Sequence, residues 1–231
     1  MNRANILTCH YNFHEDWCRP ALAPLLQPDV RVTVVPFSFP AEQIPDEAAW
    51  QREFGPGGRH RGDLLAAFSG FGITQVQFVN WFAHTPQQAG AMVAAADLVF
   101  FTGGLSDVAM ERVRAFGLQT VLEQFPGILM GTSAGAMMQI ADYHISPDED
   151  YPVYQRNAGL DCGLPFDVEV HYAYSPVQNA GIRRALQERP VPVWAIENTG
   201  ALLVQGGEVT PLGDFHLICT EADIPAARGT V

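Results

Sequence analysis

Short runs of β-branched and aromatic residues alternate along the chain with segments in which apolar residues recur at helical spacing. The clearest predicted strands cover residues 30–35, 75–79, 98–101 and 127–130. The last two are continuously apolar, which is typical of strands buried on both faces of a sheet. Between them, residues 108–116 are predicted to form a helix that ends at Gly117. This alternation predicts βαβ units and a mostly parallel sheet.

The second half of the chain continues the same pattern. Further helices are predicted at residues 134–140 and 177–188, and further strands at residues 166–170, 192–196, 201–204 and 208–210. The last two strands are expected to form a hairpin around a Gly-Gly turn. Residues 36–56 and 146–165, which are rich in Pro, Gly, Asp and Glu, are predicted to be long surface loops. Because no break in composition divides the chain, we expect residues 1–231 to form one three-layer, doubly wound α/β domain.

Composition and charge exclude several classes of protein. The 231 residues are 48% hydrophobic and 10% aromatic, which is enough to fill a core and argues against a disordered chain. The formal net charge is −12, and a protein this negative repels nucleic-acid phosphates and anionic lipid headgroups. We therefore expect neither nucleic acid nor a membrane surface as a partner.

Two further features indicate a soluble cytoplasmic protein. The first ten residues lack the apolar run and cleavage site of a signal peptide, and the longest apolar stretch, residues 89–101, is interrupted by Asp97. That stretch is also shorter than the ~20 residues that span a bilayer. The four cysteines are scattered without a CxxC pair, as in proteins with reduced thiols. His10, His14 and Cys9 lack a second ligand cluster at zinc-finger spacing, so no metal or other cofactor is predicted.

Residues 131–135 form a GxSxG motif between a predicted buried strand and a predicted helix. This is the context of a nucleophile elbow, in which Ser133 would stand exposed at the carboxyl end of the sheet. The alternative is a Gly/Ser-rich turn or a helix-capping serine. In the catalytic interpretation, the N–H of Ala134 is one oxyanion donor. Gly103 or Gly104, at the end of the preceding strand, supplies the second donor or simply forms a tight turn.

A catalytic serine needs a base, and seven histidines compete for this role. His171 ends a predicted strand and is the first choice, whereas His144 is the second. The base in turn needs an acid that orients it. Glu197 is favoured because it follows the predicted strand 192–196 and would be held rigidly. The alternatives are the acidic loop residues Asp148, Glu149 and Asp150.

Together these residues resemble the dipeptidase E and cyanophycinase family of serine peptidases, which share the flavodoxin-like fold of class I glutamine amidotransferases. The specific segments are residues 131–136 and 195–203. The resemblance implies Ser133 as nucleophile, His171 as base and Glu197 as acid. It also implies an exopeptidase that acts on a small peptide or isopeptide, with N-terminal aspartyl substrates as one option. Homodimers are common in this family.

The chain departs from the family pattern after its glycine pair. Residues 105–107 are Leu-Ser-Asp, where family members usually have a third Gly or an Asn followed by Thr or Gln. We expect Gly103 and Asp107 to contact the substrate, with Asp107 suited to a cationic group such as a free α-amino terminus. The candidate clamps for a substrate carboxylate are Arg156, Arg183 and Arg184.

Two other functions remain open at this stage. The altered residues 105–107 favour a non-catalytic or regulatory binding module that keeps the fold without turnover. An esterase of the α/β-hydrolase type also uses GxSxG, but in that fold the acid precedes the histidine in sequence. Here Glu197 follows His171, so the esterase would require Asp148 or Glu149 as the acid bonded to His171.

Overall fold

The structure, a computed structural model, describes residues 3–228. The strands in this range are β1 (Ala4–Thr8), β2 (Val32–Val35), β3 (Val76–Phe78), β4 (Leu98–Phe101), β5 (Ile128–Thr132), β6 (Asp142–Ile145), β7 (Gln155–Ala158), β8 (Asp167–Glu169), β9 (Val193–Gln205) and β10 (Glu208–Ile218). The helices are α1 (Arg19–Leu22), α2 (Glu47–Phe54), α3 (Arg59–Ser69), α4 (Pro86–Ala94), α5 (Ser106–Ala115), α6 (Gln119–Glu123), α7 (Ala134–Met137) and α8 (Pro176–Glu188), followed by a 3₁₀ helix at Glu221–Asp223.

Eight of these strands form one mixed, mostly parallel sheet. The strand order is β10-β9-β1-β5-β4-β2-β3, and β8 also pairs with β9. Strands β1, β5, β4, β2 and β3 run parallel to one another, whereas β9 runs antiparallel to both β1 and β10. Strands β6 and β7 form a separate hairpin. The predicted doubly wound α/β architecture is therefore confirmed.

Helices cover both faces of this sheet. In β4, Leu98 and Phe100 pack into one core cluster together with Phe68 of α3. The alternate residues Val99 and Phe101 pack into a second cluster on the opposite face, with helices α4, α5 and α6. Because successive strand residues face opposite sides, burial of both sides requires the continuous apolar run seen in the sequence.

The sheet brings the ends of three strands together. Thr8 at the end of β1 pairs with Thr132 at the end of β5, and Phe101 at the end of β4 pairs with Gly131 of β5. The segments that follow these three parallel strands therefore meet at one edge, where open α/β sheets bind their ligands.

Several predicted segments differ from the structure. Residues 36–56 contain α2, whose N-cap residue Asp46 accepts the Ala49 N–H at 2.8 Å. Residues 146–165 contain β7, which is held by its pairing with β6 rather than by its own sequence pattern. The predicted strands 192–196 and 201–204 are parts of the single long strand β9. No helix within residues 3–228 combines the length and apolar character that crossing a bilayer requires.

Strand β9 carries an irregularity that matters for the site. Ile196 pairs with Phe215 and Gly200 with Gly213, so the three residues between Ile196 and Gly200 lie opposite the single Asp214. A bulge of this kind interrupts the regular alternation of side chains between the two faces of a strand. Glu197 therefore lies within a continuous strand at a bulge and not at a strand end.

Candidate active site

Ser133 lies between β5 and α7 with strained backbone angles, φ 54° and ψ −116°. Its N–H donates to the Thr8 carbonyl at 2.8 Å, which fixes the turn against β1. A Cβ added to Gly131 would lie 2.0 Å from the carbonyl oxygen of Gly135, and one added to Gly135 would lie 2.3 Å from that of Phe101. Both glycines of GxSxG are thus required by close backbone contacts. This strand, strained serine and helix form the geometry of a nucleophile elbow.

Backbone N–H groups are available beside Ser133. Within residues 3–228, neither the Ala134 N–H nor the Gly104 N–H donates to a protein acceptor. Gly104 has φ 129°, and the next residue, Leu105, donates its N–H to the Ser38 carbonyl at 2.7 Å. A Cβ on Gly103 would lie 3.3 Å from Ser133 Cβ, so the glycine pair passes directly next to the serine. The arrangement can donate hydrogen bonds to an oxyanion formed at Ser133.

His171 shares the site with Ser133 and is held from several sides. It has φ 53°, its N–H donates to Cys9 Sγ at 3.2 Å, and its carbonyl accepts from Gln178 Nε2 at 3.0 Å. Its Nδ1 lies 2.7 Å from Asn198 Oδ1. With the Nδ1 proton donated to Asn198, Nε2 is free to accept a proton. Ser133 and His171 line the same two clefts, although their side chains are not hydrogen-bonded to each other.

Glu197, the expected orienting acid, does not contact His171. It accepts a hydrogen bond from the Tyr174 hydroxyl and lies 3.4 Å from His216 Nε2. The reason is the bulge in β9, at which Asn198 and not Glu197 faces the imidazole. The alternative acids Asp148, Glu149 and Asp150 are exposed and make no hydrogen bond to His171. The side-chain partner of His171 is thus the amide of Asn198, which was not among the predicted site residues.

His144, the second candidate base, is a buried charged group. Its Nδ1 lies 2.9 Å from Asp167 Oδ2 and its Nε2 lies 2.9 Å from Glu169 Oε2. Burial by itself would lower the pKa of His144, but Asp167, followed by Glu169, raises that pKa to about 10. Both ring nitrogens face carboxylates and the raised pKa favours the charged ring, so His144 is poorly suited to accept a proton from Ser133. Within residues 3–228, no group of three or more His, Cys, Asp or Glu side chains is arranged to hold a metal ion.

The other predicted substrate-binding residues face their own neighbours. Asp107 accepts a hydrogen bond from the Tyr151 hydroxyl at 2.6 Å and thereby ties the loop after β6 to α5. Arg183 lies on the surface of α8, 3.2 Å from Glu221. The remaining candidate clamps are paired in the same way, Arg156 with Asp142 at 2.8 Å and Arg184 with Glu188 at 2.7 Å.

Ser133 stands between two clefts. One, of about 320 Å³, is lined by Glu169, Asp148 and Asp150 among others, and we call it the acidic cleft. The other, of about 370 Å³, is lined by aromatic and apolar residues that include Tyr11, Phe39, Ile44 and Phe54, and we call it the aromatic cleft. The chain contains no lysine, and none of its arginines lines either cleft.

Two of the site residues could have been suspected from the sequence. Glu169 lies in the buried strand β8, two positions before His171, and a charged residue at a buried strand position is costly unless it is paired. Asn198 directly follows the predicted acid, but only the bulge in β9 decides which of the two faces the histidine. Ser38, which anchors the glycine pair, carries no signal in the sequence.

Comparison with known proteins identifies the family of this chain. The model of peptidase family S51 matches residues 63–212, more than half of the chain, and this span includes Ser133, His171 and Asn198. The comparison with curated proteins finds no match.

Similar folds occur among solved structures. A candidate peptidase E protein from Listeria monocytogenes EGD-e is 17% identical with a TM-score of 0.66, and the match covers 93% of this chain and 100% of that chain. A peptidase from an acI-B1 actinobacterium is 18% identical with a TM-score of 0.63, and the match covers 96% of this chain and 92% of that chain. The chain belongs to peptidase family S51 and is a serine-type peptidase.

Proposed function

We propose that this protein is a serine exopeptidase that hydrolyses small peptides or isopeptides through an acyl-enzyme on Ser133. The observation that carries the proposal is the strained turn at Ser133, with φ 54°, beside the unpaired N–H groups of Ala134 and Gly104. Such strain persists only where surrounding contacts enforce it, and it concentrates at functional sites. A serine that merely capped a helix would not need it.

In the proposed mechanism, His171 Nε2 accepts the Ser133 hydroxyl proton while Oγ attacks the substrate carbonyl. The N–H groups of Ala134 and Gly104 stabilise the oxyanion, and each such donor contributes roughly 3–4 kcal/mol to the transition state. The imidazolium then protonates the leaving amine, and water hydrolyses the acyl-enzyme by the same steps in reverse. Asn198 keeps the proton of His171 on Nδ1 through the 2.7 Å contact, which leaves Nε2 to act as base.

The sizes of the two clefts favour short substrates. At about 320 and 370 Å³ they are at the lower end of ligand pockets and suit one or two residues on each side of a scissile bond. Preference for an N-terminal aspartyl residue stays a prediction from the family resemblance. Its side-chain carboxylate would find no arginine in either cleft. A homodimer and a cytoplasmic location also stay predictions, testable by light scattering and fractionation.

A non-catalytic binding module is the second candidate. The observation in its favour is that Ser133 and His171 are not hydrogen-bonded to each other. Catalytic hydrogen bonds are often long in ligand-free sites and tighten only with substrate, so this geometry is compatible with both functions.

Labelling with a fluorophosphonate probe separates the two candidates. We expect stable labelling of the wild-type protein, none of Ser133→Ala, and strongly reduced labelling of His171→Ala. Ser69→Ala, which alters an exposed serine at the end of α3, is the matched control and should label normally. A folded wild-type protein that the probe does not label would contradict the peptidase mechanism and favour the binding module.

A further inference from the structure

The acidic cleft contains a buried carboxylate that is only half satisfied. Glu169 is 6% exposed, and its Oε2 accepts hydrogen bonds from His144 Nε2 at 2.9 Å and from Ser146 Oγ at 2.6 Å. Its Oε1 has no hydrogen-bond partner within residues 3–228, although the side chain lines the cleft together with Ser133. This oxygen is not among the enclosed polar atoms that lack a partner, so it is open to the cleft. A ligand group in the cleft is the natural partner for Oε1.

Ser106, the first residue of α5, forms part of the wall of the same cleft. It is 1% exposed, and its Oγ is enclosed without a hydrogen-bond partner in the described part of the chain. Because the hydroxyl is enclosed, Glu169 is the buried side chain that offers an acceptor to a ligand in the cleft.

The charge of the lining favours a cation. Asp148 and Asp150 stand at the exposed rim, and Glu169 lies below them. His144 also lines the cleft, but its positive charge is already shared between Asp167 and Glu169. Since no arginine lines the cleft and the chain lacks lysine, the field there is negative.

We propose that the acidic cleft binds a cationic group of the substrate, an ammonium or a guanidinium, beside the bond that Ser133 attacks. This inference rests on the proposed function, because it specifies the substrate class of the same site. Glu169 Oε1 is the acceptor at the base of the cleft, and Asp148 and Asp150 add attraction at the rim. The aromatic cleft takes an apolar or aromatic group on the other side of the scissile bond.

Peptide hydrolysis tests the preference and identifies the source of the cation. The substrates are X-Phe dipeptides in which X is lysine, the uncharged norleucine or glutamate, each with a free or an acetylated α-amine. If the side chain is the cationic group, lysine exceeds norleucine and glutamate in kcat/KM and keeps this advantage after acetylation. If the α-ammonium is the group, acetylation lowers kcat/KM for every X. Hydrolysis that responds to neither change would overturn the proposal.

Variants localise the effect to the cleft. Glu169→Gln should reduce the preference for the charged over the uncharged substrate by about tenfold or more, because a buried charge is lost. Asp150→Asn should reduce it by only about twofold to fivefold, as expected for an exposed charge. Glu149→Gln is the matched control, since Glu149 lies in the same loop but does not line the cleft. An equal loss in Glu149→Gln would show a general charge effect and contradict the proposal. Asp150, which is exposed, keeps the test valid if Glu169→Gln fails to fold.

Binding to the inactive Ser133→Ala variant separates this inference from the proposed function. Calorimetry with lysinamide, norleucinamide and N-acetylnorleucinamide should show affinity that rises with positive charge and weakens with salt. Suppose that the fluorophosphonate labels wild-type Ser133 but neither binding nor hydrolysis depends on the charge of the ligand. The proposed preference for a cationic group is then wrong, and the proposed peptidase mechanism is still supported. If affinity rises with the positive charge of the ligand but the probe never labels Ser133, the acidic cleft is supported as a cation-binding site and the peptidase mechanism is contradicted.

Discussion

The Nδ1 atom of His171 lies 2.7 Å from Oδ1 of Asn198, so the proposed base is oriented by a neutral amide. An amide oxygen can fix the tautomer of an imidazole as a carboxylate does, but it brings no negative charge to stabilise the imidazolium. The neighbouring carboxylate of Glu197 is instead engaged by Tyr174 and His216. This arrangement makes Asn198 the positioning residue of the proposed mechanism.

Substitution of Asn198 tests this positioning role. Asn198→Ala should lower kcat by roughly 10–100-fold with a small change in KM, because His171 loses the partner that holds its tautomer. Glu197→Gln keeps the shape of the side chain and should retain most of the activity. Steady-state kinetics on both variants shows whether Asn198 or Glu197 orients His171. A large loss in Glu197→Gln with a nearly active Asn198→Ala would return the orienting role to the carboxylate.

The second oxyanion donor is testable at Gly104. A Cβ at this position would lie 2.3 Å from the Ser38 carbonyl oxygen, and φ is 129°, so Gly104→Ala must displace the backbone N–H. Loss of one oxyanion donor lowers kcat by roughly 10²–10³-fold. Gly117→Ala is the control, because Gly117 has φ 64° but no atom within 4 Å of the added Cβ. It should lower stability slightly and leave kcat unchanged, and equal activity of the two variants would argue against Gly104 as a donor.

The ion pairs of His144 predict a pH dependence of stability. The pKa of His144 is raised from 6.5 to about 10 in the folded protein, mainly by Asp167 acting against the cost of burial. A raised folded-state pKa stabilises the fold fully below pH 6.5, and this contribution is lost as the pH rises towards about 10. Urea unfolding between pH 6 and 10 should therefore show falling stability.

The His144→Gln variant isolates that effect. It should be less stable at neutral pH by roughly 3–5 kcal/mol, because Asp167 and Glu169 remain buried without their cation. Its stability should also fall less steeply between pH 6.5 and 10 than that of the wild-type protein. Parallel pH profiles for the two proteins would show that the imidazole is not charged in the folded state.

Cysteine chemistry should leave the proposed site intact. Burial raises the pKa of the Cys9 and Cys18 thiols to about 12, whereas Cys219 is exposed. Thiolates are the reactive form, so iodoacetamide at pH 8 should modify Cys219 first and leave peptidase activity unchanged. Mass spectrometry of the wild-type protein and Cys219→Ser checks the assignment. Rapid modification of Cys9 with loss of activity would show that the contact between Cys9 and His171 opens readily.

The local parts of the site could be predicted from the sequence because they are encoded in contiguous residues. Strand β4 and the first three residues of β5 are continuously apolar, and the GxSxG motif begins with the last two residues of β5, so the position of Ser133 needs no distant information. The reason is that backbone periodicity and the steric demand for glycine act over only a few residues. The same local signals predicted the helix after Ser133 and the doubly wound sheet.

The partners of the site residues could not be predicted in this way. Asn198 faces His171 because β9 bulges opposite Asp214, a residue of a different strand. Glu169 meets His144 and Ser146 only because β8 packs beside the β6–β7 hairpin, and Arg183 turns to Glu221 far along the chain. The sequence alone thus determined the fold class and the proposed nucleophile, whereas the tertiary structure decided the proposed orienting group and the acidic cleft. The physical reason is that strand pairing between distant segments sets the face on which each side chain points, and no local pattern records that pairing.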